Sequence, residues 1–229
     1  MSVVVPALLA QTKEELASQV ERIQSFAVRV HIDIMDGQFT SSKSVPPRDA
    51  LWPPEWQVDM HLMYAQPESQ VNILIDKKPS LVIFHAEAEG NLLEFMKKLQ
   101  ENGIKVGIAL QRSTVPADNI ELLEIADHAL IFSGNLGEYG GKVNFLQLEK
   151  VRLIRAINPE IEIGWDGGAN VDNSYTLSLG GVDVVNVGGA LADAVDPVAV
   201  YKQLDFEVHR KDVFEKEAAK KKLLNGPSL

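Results

Sequence analysis

The sequence predicts an α/β protein, namely a single-domain (β/α)8 TIM barrel followed by a charged C-terminal extension. Eight short runs rich in Val and Ile recur along the chain, separated by amphipathic segments at intervals of roughly 20–30 residues, as in a parallel barrel. No G-x-G-x-x-G motif follows the first run, which disfavours the competing open, doubly wound sheet. We therefore expect a barrel over residues 1–207 and a charged helix or tail over 208–229.

The eight apolar runs have the length and composition of buried parallel strands. The predicted strands are Val3–Ala7, Val28–Ile34, Gln57–Met63, Leu81–His85, Lys105–Leu110, His128–Phe132, Glu162–Trp165 and Val184–Val187. Four of the intervening segments carry helix-end signals, such as the capping pair Thr12 and Glu15 and the terminal Gly103. Those helices are expected within residues 12–26, 91–103, 143–159 and 170–181.

Composition excludes several classes of function. The 229 residues are 45% hydrophobic, enough for one large core, and the net charge of −10 without a basic stripe argues against nucleic-acid binding. The chain has no cysteine, which excludes disulfides, a thiolate nucleophile and Cys-ligated zinc. No signal peptide and no apolar run of about 18 residues is present, so we expect a cytoplasmic protein without a membrane partner.

The C-terminal segment 206–229 differs from the rest because it is densely charged. Its part "DVFEKEAAKKKLL" has helical character, with Glu215 and Glu217 preceding lysines. A solvated extension is the favoured interpretation, and a packing or dimer contact is the alternative. The final "NGPSL" is expected to be disordered.

Polar side chains stand at the ends of several predicted strands. His31 and Asp33 are two residues apart, so they share one face of strand two, while His61 ends strand three and Asp166 follows strand seven. Since strand ends meet at the mouth of a barrel, these four side chains should converge there. Two imidazoles and two carboxylates suit one divalent metal ion, with zinc, iron, manganese and cobalt all compatible.

Other polar residues near these strand ends have different predicted roles. His85 and Glu87 at the end of strand four are also metal-capable. Asp36 is expected to cap the turn at Gly37 rather than to bind a ligand.

Three glycine-rich turns follow the late strands: "GEYGGK", "DGGAN" and "VGGALAD". Glycine allows backbone N–H groups to approach a phosphate closely, and barrels of this kind commonly bind phosphate after strands seven and eight. A tight turn would by itself explain any one of these glycine pairs. Three glycine pairs after neighbouring late strands favour a phosphate site. The residues expected there are Gly140, Gly141, Lys142, Gly167, Gly168, Gly188 and Gly189.

From about Val3 to Pro197, the sequence resembles the ribulose-phosphate 3-epimerase family. The resemblance is carried by "VHIDIMDGQF", "VDMHLM", "FHAEA", "YGGK" and "DGGAN" in this order. It implies one divalent metal, usually zinc, held by the four residues named above. It also implies that Asp33 takes the C3 proton of a ketose phosphate from one face and that Asp166 returns a proton from the other, through a metal-stabilised enediolate. Met35 and Met63 would line the site.

Several positions depart from the family pattern. Ala7 and Ala10 stand where the family usually has serines, so one substrate-facing hydroxyl is lost, and Gly164-Trp165 replaces the usual Glu-Val. The loop after Gly37 and the phosphate loop, which contains Glu138, also differ. The metal and acid/base set is nevertheless complete.

The expected function is therefore conversion of D-ribulose 5-phosphate to D-xylulose 5-phosphate, in the pentose phosphate pathway. A hexulose 6-phosphate epimerase and a non-catalytic sugar-phosphate-binding barrel are the alternatives. A decarboxylase or aldose-ketose isomerase is less favoured, because such decarboxylases use a barrel lysine and no strand end carries one before Lys142. The expected partner is a phosphorylated sugar, and a homo-oligomer is possible.

Overall fold

A computed structural model shows a closed barrel of eight parallel strands that pair in chain order. It describes residues 1–137 and 141–225, with side chains described up to Arg210 and at Phe214 and Glu215. The predicted (β/α)8 fold is confirmed, and each strand lies within one or two residues of its predicted position. The strands are β1 Val3–Leu8, β2 Arg29–Met35, β3 Gln57–Met63, β4 Leu81–His85, β5 Lys105–Leu110, β6 His128–Phe132, β7 Glu162–Asp166 and β8 Val184–Val187.

Helices follow most of the strands and form the outer layer. They are α1 Lys13–Ile23, α2 Val71–Lys77, α3 Leu92–Glu101, α4 Ile120–Ile125, α5 Glu149–Ile157, α6 Val171–Leu179, α7 Gly189–Ala192 and α8 Pro197–Asn225. The alternation of strands and helices is interrupted between β2 and β3. The connecting residues 36–56 contain one short 3-10 turn, Pro47–Asp49, and no α-helix. The four prolines in that connection account for this difference, because proline removes the N–H that a helix interior needs.

The predicted helix caps are present at α1 and α3. The Thr12 side chain accepts a hydrogen bond from the backbone N–H of Glu15, and the Asn91 side chain does the same for Glu94. Gly103 follows α3 with φ +77°, a left-handed conformation that favours glycine. These local signals define the helix ends correctly because a cap depends on residues only three positions apart.

Alternation along the strands separates two environments. Ile32 and Ile34 of β2 face outward and join the main apolar core between the barrel and the helices. Inward-facing residues form three layers: a polar one at the N-terminal end, a small apolar cluster that includes Ile83 and Leu130, and a polar one at the C-terminal mouth.

The C-terminal segment begins inside the last helix. α8 runs without a break across the predicted boundary at residues 207/208, and both Leu204 and Val208 are buried. The Ser178 hydroxyl of α6 donates a 2.7 Å hydrogen bond to the Val208 carbonyl. The first turn of the predicted extension is therefore part of the barrel's outer layer, while residues 226–229 lie outside the described residues. Within the described part of the chain, no helix combines the length and apolar character that a membrane span requires.

Candidate active site

Strand pairing brings the four predicted metal-ligating residues together at the C-terminal mouth. Asp33 of β2 is directly opposite His61 of β3 in the sheet register. One donor atom from each of His31, Asp33, His61 and Asp166 lies within 4.8 Å of the other three. The Nδ1 atom of His61 is 2.8 Å from Oδ1 of Asp33, and Nε2 of His31 is 3.2 Å from the same oxygen. Two nitrogens and two oxygens converging on one point suit a divalent metal ion.

The two carboxylates differ in their electrostatic environment. Burial raises the pKa of Asp33, but hydrogen bonds from His31 and His61 outweigh burial and hold its pKa below the ordinary range. Burial and the neighbouring charge of Asp33 both raise the pKa of Asp166. Without a cation, Asp33 therefore ionises more readily than Asp166, a difference that acid/base catalysis uses.

A chain of hydrogen bonds continues behind His61. The Nε2 atom of His61 lies 2.9 Å from Nε2 of His85, and Nδ1 of His85 lies 3.1 Å from Oε2 of Glu87. Burial lowers the pKa of His85 to about 4, although Glu87 acts in the opposite direction, so His85 is neutral. If the Nδ1–H of His85 donates to Glu87, its Nε2 accepts from Nε2–H of His61. In that tautomer, Nδ1 of His61 carries a lone pair in place of the proton that it donates to Asp33, which is the form that a metal ligand would require.

A cavity of about 290 Å³ opens beside this cluster. Its lining includes Asp33, Met63 and Asp166 together with glycines of the turns after β6, β7 and β8. Gly167 has φ +106°, and a Cβ there would come within 2.0 Å of the Gly134 backbone. Only glycine fits this position, so the turns after β6 and β7 pack backbone to backbone at the cavity wall.

The predicted phosphate-site residues divide into two groups. Gly141, Gly167, Gly168, Gly188 and Gly189 line the cavity. Lys142 does not, since it lines a separate exposed groove. Gly140 lies outside the described residues.

The two predicted methionines also differ in position. Met63 lines the cavity, whereas Met35 is buried at the end of β2 and is not part of the cavity wall. The Met35 backbone N–H donates to the Ser44 hydroxyl at 2.8 Å, which ties the end of β2 to the loop that follows it.

Asp36 has the turn-capping role that was expected. Its Oδ1 accepts hydrogen bonds from the backbone N–H groups of Gln38 and Phe39, and its Oδ2 accepts from that of Ala65. Gly37 adopts φ +75° within this turn. Asp36 thus connects the loops after β2 and β3 instead of reaching the cavity.

Sequence reasoning missed one buried polar residue in the cavity wall, Asn186 of β8. A signal was available, because Asn186 interrupts the valines of "VVNV" just as His31 and Asp33 interrupt β2. Phe132 at the end of β6 also lines the cavity and was not singled out.

Comparison with known proteins places the chain in a family. The model of the ribulose-phosphate 3 epimerase family matches residues 3–192. The chain belongs to this family. The predicted family resemblance is confirmed, and so is the prediction of an epimerase-type isomerase.

Curated relatives agree with the assignment. The ribulose-phosphate 3-epimerase of Helicobacter pylori strain J99 is 30% identical over 200 residues, covering 84% of this chain and 92% of that protein. The chloroplastic ribulose-5-phosphate-3-epimerase of Arabidopsis thaliana is 30% identical over 207 residues, which cover 85% of this chain and 73% of that protein.

Solved structures with a similar fold include a 3-keto-L-gulonate-6-phosphate decarboxylase from Vibrio cholerae. It has a TM-score of 0.68 at 13% identity and covers 91% of this chain and 98% of that chain. A 3-hexulose-6-phosphate synthase from Salmonella typhimurium has a TM-score of 0.65 at 15% identity, with 91% and 99% covered. At such identities the similarity shows the barrel fold alone.

Two departures of this ribulose-phosphate 3-epimerase family member have visible consequences. Ala7 lines the cavity with an apolar surface where the family usually has a serine. Gly164 of β7 makes room inside the barrel, because a Cβ there would come within 2.3 Å of Nε2 of His128. The change at position 164 thus accommodates a histidine near the N-terminal end of the barrel, away from the cavity.

Proposed function

We propose that the protein epimerises C3 of a ketose phosphate, with D-ribulose 5-phosphate and D-xylulose 5-phosphate as the substrate pair. The observation that carries this proposal is the juxtaposition of Asp33 and Asp166 in one cavity, with donor atoms within 4.8 Å of each other and of two imidazoles. Inverting a carbon next to a ketone requires one group to remove a proton and another to deliver one to the opposite face. Asp33 and Asp166 project from β2 and β7, two non-adjacent strands, and so can act on opposite faces.

The directions of the two pKa shifts suggest the starting roles. Asp33, whose pKa is held low, takes the C3 proton, while Asp166, whose pKa is raised, delivers a proton to the other face. In the reverse reaction, the roles are exchanged. Burial of both carboxyl groups in a small cavity limits access of water, which would otherwise protonate the intermediate without stereochemical control.

The four converging donors would hold one divalent metal ion, for which we propose zinc, with iron, manganese and cobalt as alternatives. Such an ion would supply Lewis acidity toward the C2 ketone and the negative charge that develops on the substrate. His31 and His61 would each contribute one ring nitrogen to this set.

The glycine turns after β6, β7 and β8 would bind the phosphate. Gly141, Gly167, Gly168, Gly188 and Gly189 present backbone rather than side chain to the cavity. Backbone N–H groups can bind an anion although the protein carries a net charge of −10. A cytoplasmic location and a role in the pentose phosphate pathway remain predictions.

Exchange of the substrate C3 hydrogen with solvent deuterium tests the two aspartate roles separately. Starting from D-ribulose 5-phosphate, Asp33→Asn should abolish exchange, since the base that removes the proton is lost. Asp166→Asn should retain exchange but abolish epimerisation, because the deprotonated carbon is then reprotonated only from the Asp33 side. Metal content measured on each variant separates the loss of an acid or base from the loss of a ligand.

Two results would contradict the proposal. Full exchange in Asp33→Asn with normal metal content would remove Asp33 from the reaction. Wild-type protein that turns over none of a panel of ketose 5- and 6-phosphates, with each of the four metals added, would favour a non-catalytic sugar-phosphate-binding barrel. Turnover of a 6-phosphate alone would instead identify a hexulose phosphate as the substrate.

A further inference from the structure

Asn186 is a buried polar side chain in the cavity wall. Only 2% of Asn186 is exposed, and neither Oδ1 nor Nδ2 has a hydrogen-bond partner among the residues that the structure describes. Leaving a buried amide unpaired costs about 1–3 kcal/mol for each group. A strand otherwise made of valines would avoid this cost with one more valine. The amide is therefore expected to have a partner that arrives with the ligand.

The position of Asn186 indicates what that partner is. Gly164 and Trp165 of β7 pair with Val184 and Val185 of β8, and the same register places Asp166 level with Asn186. Two residues further along the chain, Gly188 begins the glycine turn after β8, which also lines the cavity. Asn186 thus lies beside Asp166 and just before this glycine turn.

We propose that Asn186 is a specificity-determining residue that binds the sugar hydroxyl between the reacting carbon and the phosphate. In a ketose 5-phosphate this group is the C4 hydroxyl, because C3 lies at the aspartates and the phosphate is on C5. An amide matches a hydroxyl well, since Oδ1 accepts its proton while Nδ2–H donates to its oxygen. This inference rests on the proposed function for the placement of the substrate.

The experiment compares D-ribulose 5-phosphate with its 4-deoxy analogue in the wild-type protein and in Asn186→Leu, which keeps the approximate size and removes both polar atoms. Binding is measured by calorimetry and, where turnover occurs, by kcat and KM. Wild-type protein should bind the parent sugar about tenfold more tightly than the 4-deoxy analogue, as expected for one hydrogen bond in a buried site. In Asn186→Leu, this preference should disappear.

Three controls exclude a merely structural role. Competition by inorganic phosphate and the stoichiometry of bound metal should be the same in wild type and Asn186→Leu, since Asn186 touches neither site. Asn72→Leu, the same change at an exposed position of α2, should leave the tenfold preference intact. If Asn186→Leu does not fold, Asn186→Val in this strand of valines takes its place.

The outcomes distinguish this inference from the proposed function. Wild-type protein that binds but does not turn over the sugar, and loses its preference in Asn186→Leu, supports the inference and contradicts the epimerase activity. Equal preference in wild type and variant, or no preference in wild type, overturns the inference and leaves the epimerase activity standing wherever turnover is seen.

Discussion

The two ends of the barrel both bury charged residues, but they balance the charges differently. At the N-terminal end, Arg29 donates to Asp59 at 2.8 Å and forms two hydrogen bonds with Glu162, which also lies 2.8 Å from Nδ1 of His128. At the mouth, among the residues that the structure describes, no lysine or arginine pairs with Asp33 or Asp166. Arg29 thus balances the first group, whereas the carboxylates at the mouth contact imidazoles, an arrangement that suits an added cation.

This difference separates a structural network from a candidate site. Unpaired charge in a buried place is costly, so a protein retains it where a ligand or a reaction needs it. The mouth has two carboxylates beside two imidazoles, and the amide of Asn186 has no hydrogen-bond partner among the described residues. The N-terminal end has opposite charges in contact, which favours stability.

The largest expected effect is stabilisation by metal at the mouth. A divalent cation at a free concentration about 1,000 times its Kd should raise the free energy of unfolding by about 4 kcal/mol, because only the folded protein brings the four ligands together. Urea unfolding with a chelator and then with zinc, iron, manganese or cobalt measures this increment. His61→Ala should lose most of it, and an equal increment in wild type and His61→Ala would contradict the site.

The next effect concerns the N-terminal end. Arg29→Met should lower the free energy of unfolding by about 3 kcal/mol, because it leaves the carboxylate of Asp59, a side chain only 3% exposed, without its counter-charge. Metal affinity at the mouth should not change. The double variant Arg29→Met/Asp59→Asn should recover part of the loss, and Arg152→Met, at an exposed ion pair, should cost less than about 1 kcal/mol. If Arg29→Met lowered the free energy of unfolding as little as Arg152→Met does, the N-terminal network would not contribute to stability.

The sequence predicts a feature of either barrel end only where that feature depends on residues close together in the chain. His31, Asp33, His61 and Asp166 could be placed at the mouth because strand alternation and strand ends are local properties, and parallel pairing then brings the ends together. The lack of a partner for Asn186 could not be predicted, since it depends on every neighbouring strand. The same applies to Lys142, which follows a phosphate-loop motif but faces a different groove.

A similar limit applies to the fold. The connection from β2 to β3 contains several prolines, a local signal against a helix. The pairing of Arg29 with Glu162 joins residues 133 positions apart, and no local pattern indicates it. It depends on closure of the barrel.

A smaller effect on metal affinity is expected from the hydrogen-bond chain that runs from Glu87 through His85 to His61. Glu87→Gln should weaken metal binding about tenfold, since the amide no longer fixes the tautomers of His85 and His61 through their hydrogen bonds. Titration with cobalt or zinc measures the affinity directly. Glu89→Gln, the same change at an exposed residue two positions on, is the matched control and should bind metal as wild type does. Equal affinities in the two variants would show that the chain from Glu87 to His61 does not position the ligand.

The smallest expected effect is the pH dependence of the N-terminal network. Burial raises the pKa of Glu162, but hydrogen bonds from Arg29 and His128 outweigh it and hold the pKa well below its ordinary value of 4.5. The folded state therefore favours the ionised form, so the contribution is complete above about pH 4.5 and is lost as the pH falls through the folded-state pKa. Because the side chain is 37% exposed, solvent screening limits the contribution to about 1 kcal/mol.

Glu162→Gln should remove this part of the acid sensitivity. Wild-type and variant stabilities, measured in the same metal-free buffer by urea unfolding from pH 6 downward, should differ most at the upper end and converge as the acid protonates Glu162 in the wild type. The substitution lies at the opposite end of the barrel from the metal ligands, so the acid-dependent loss of metal should be unchanged. Parallel curves that never converge would mean that Glu162 contributes through packing rather than through its charge.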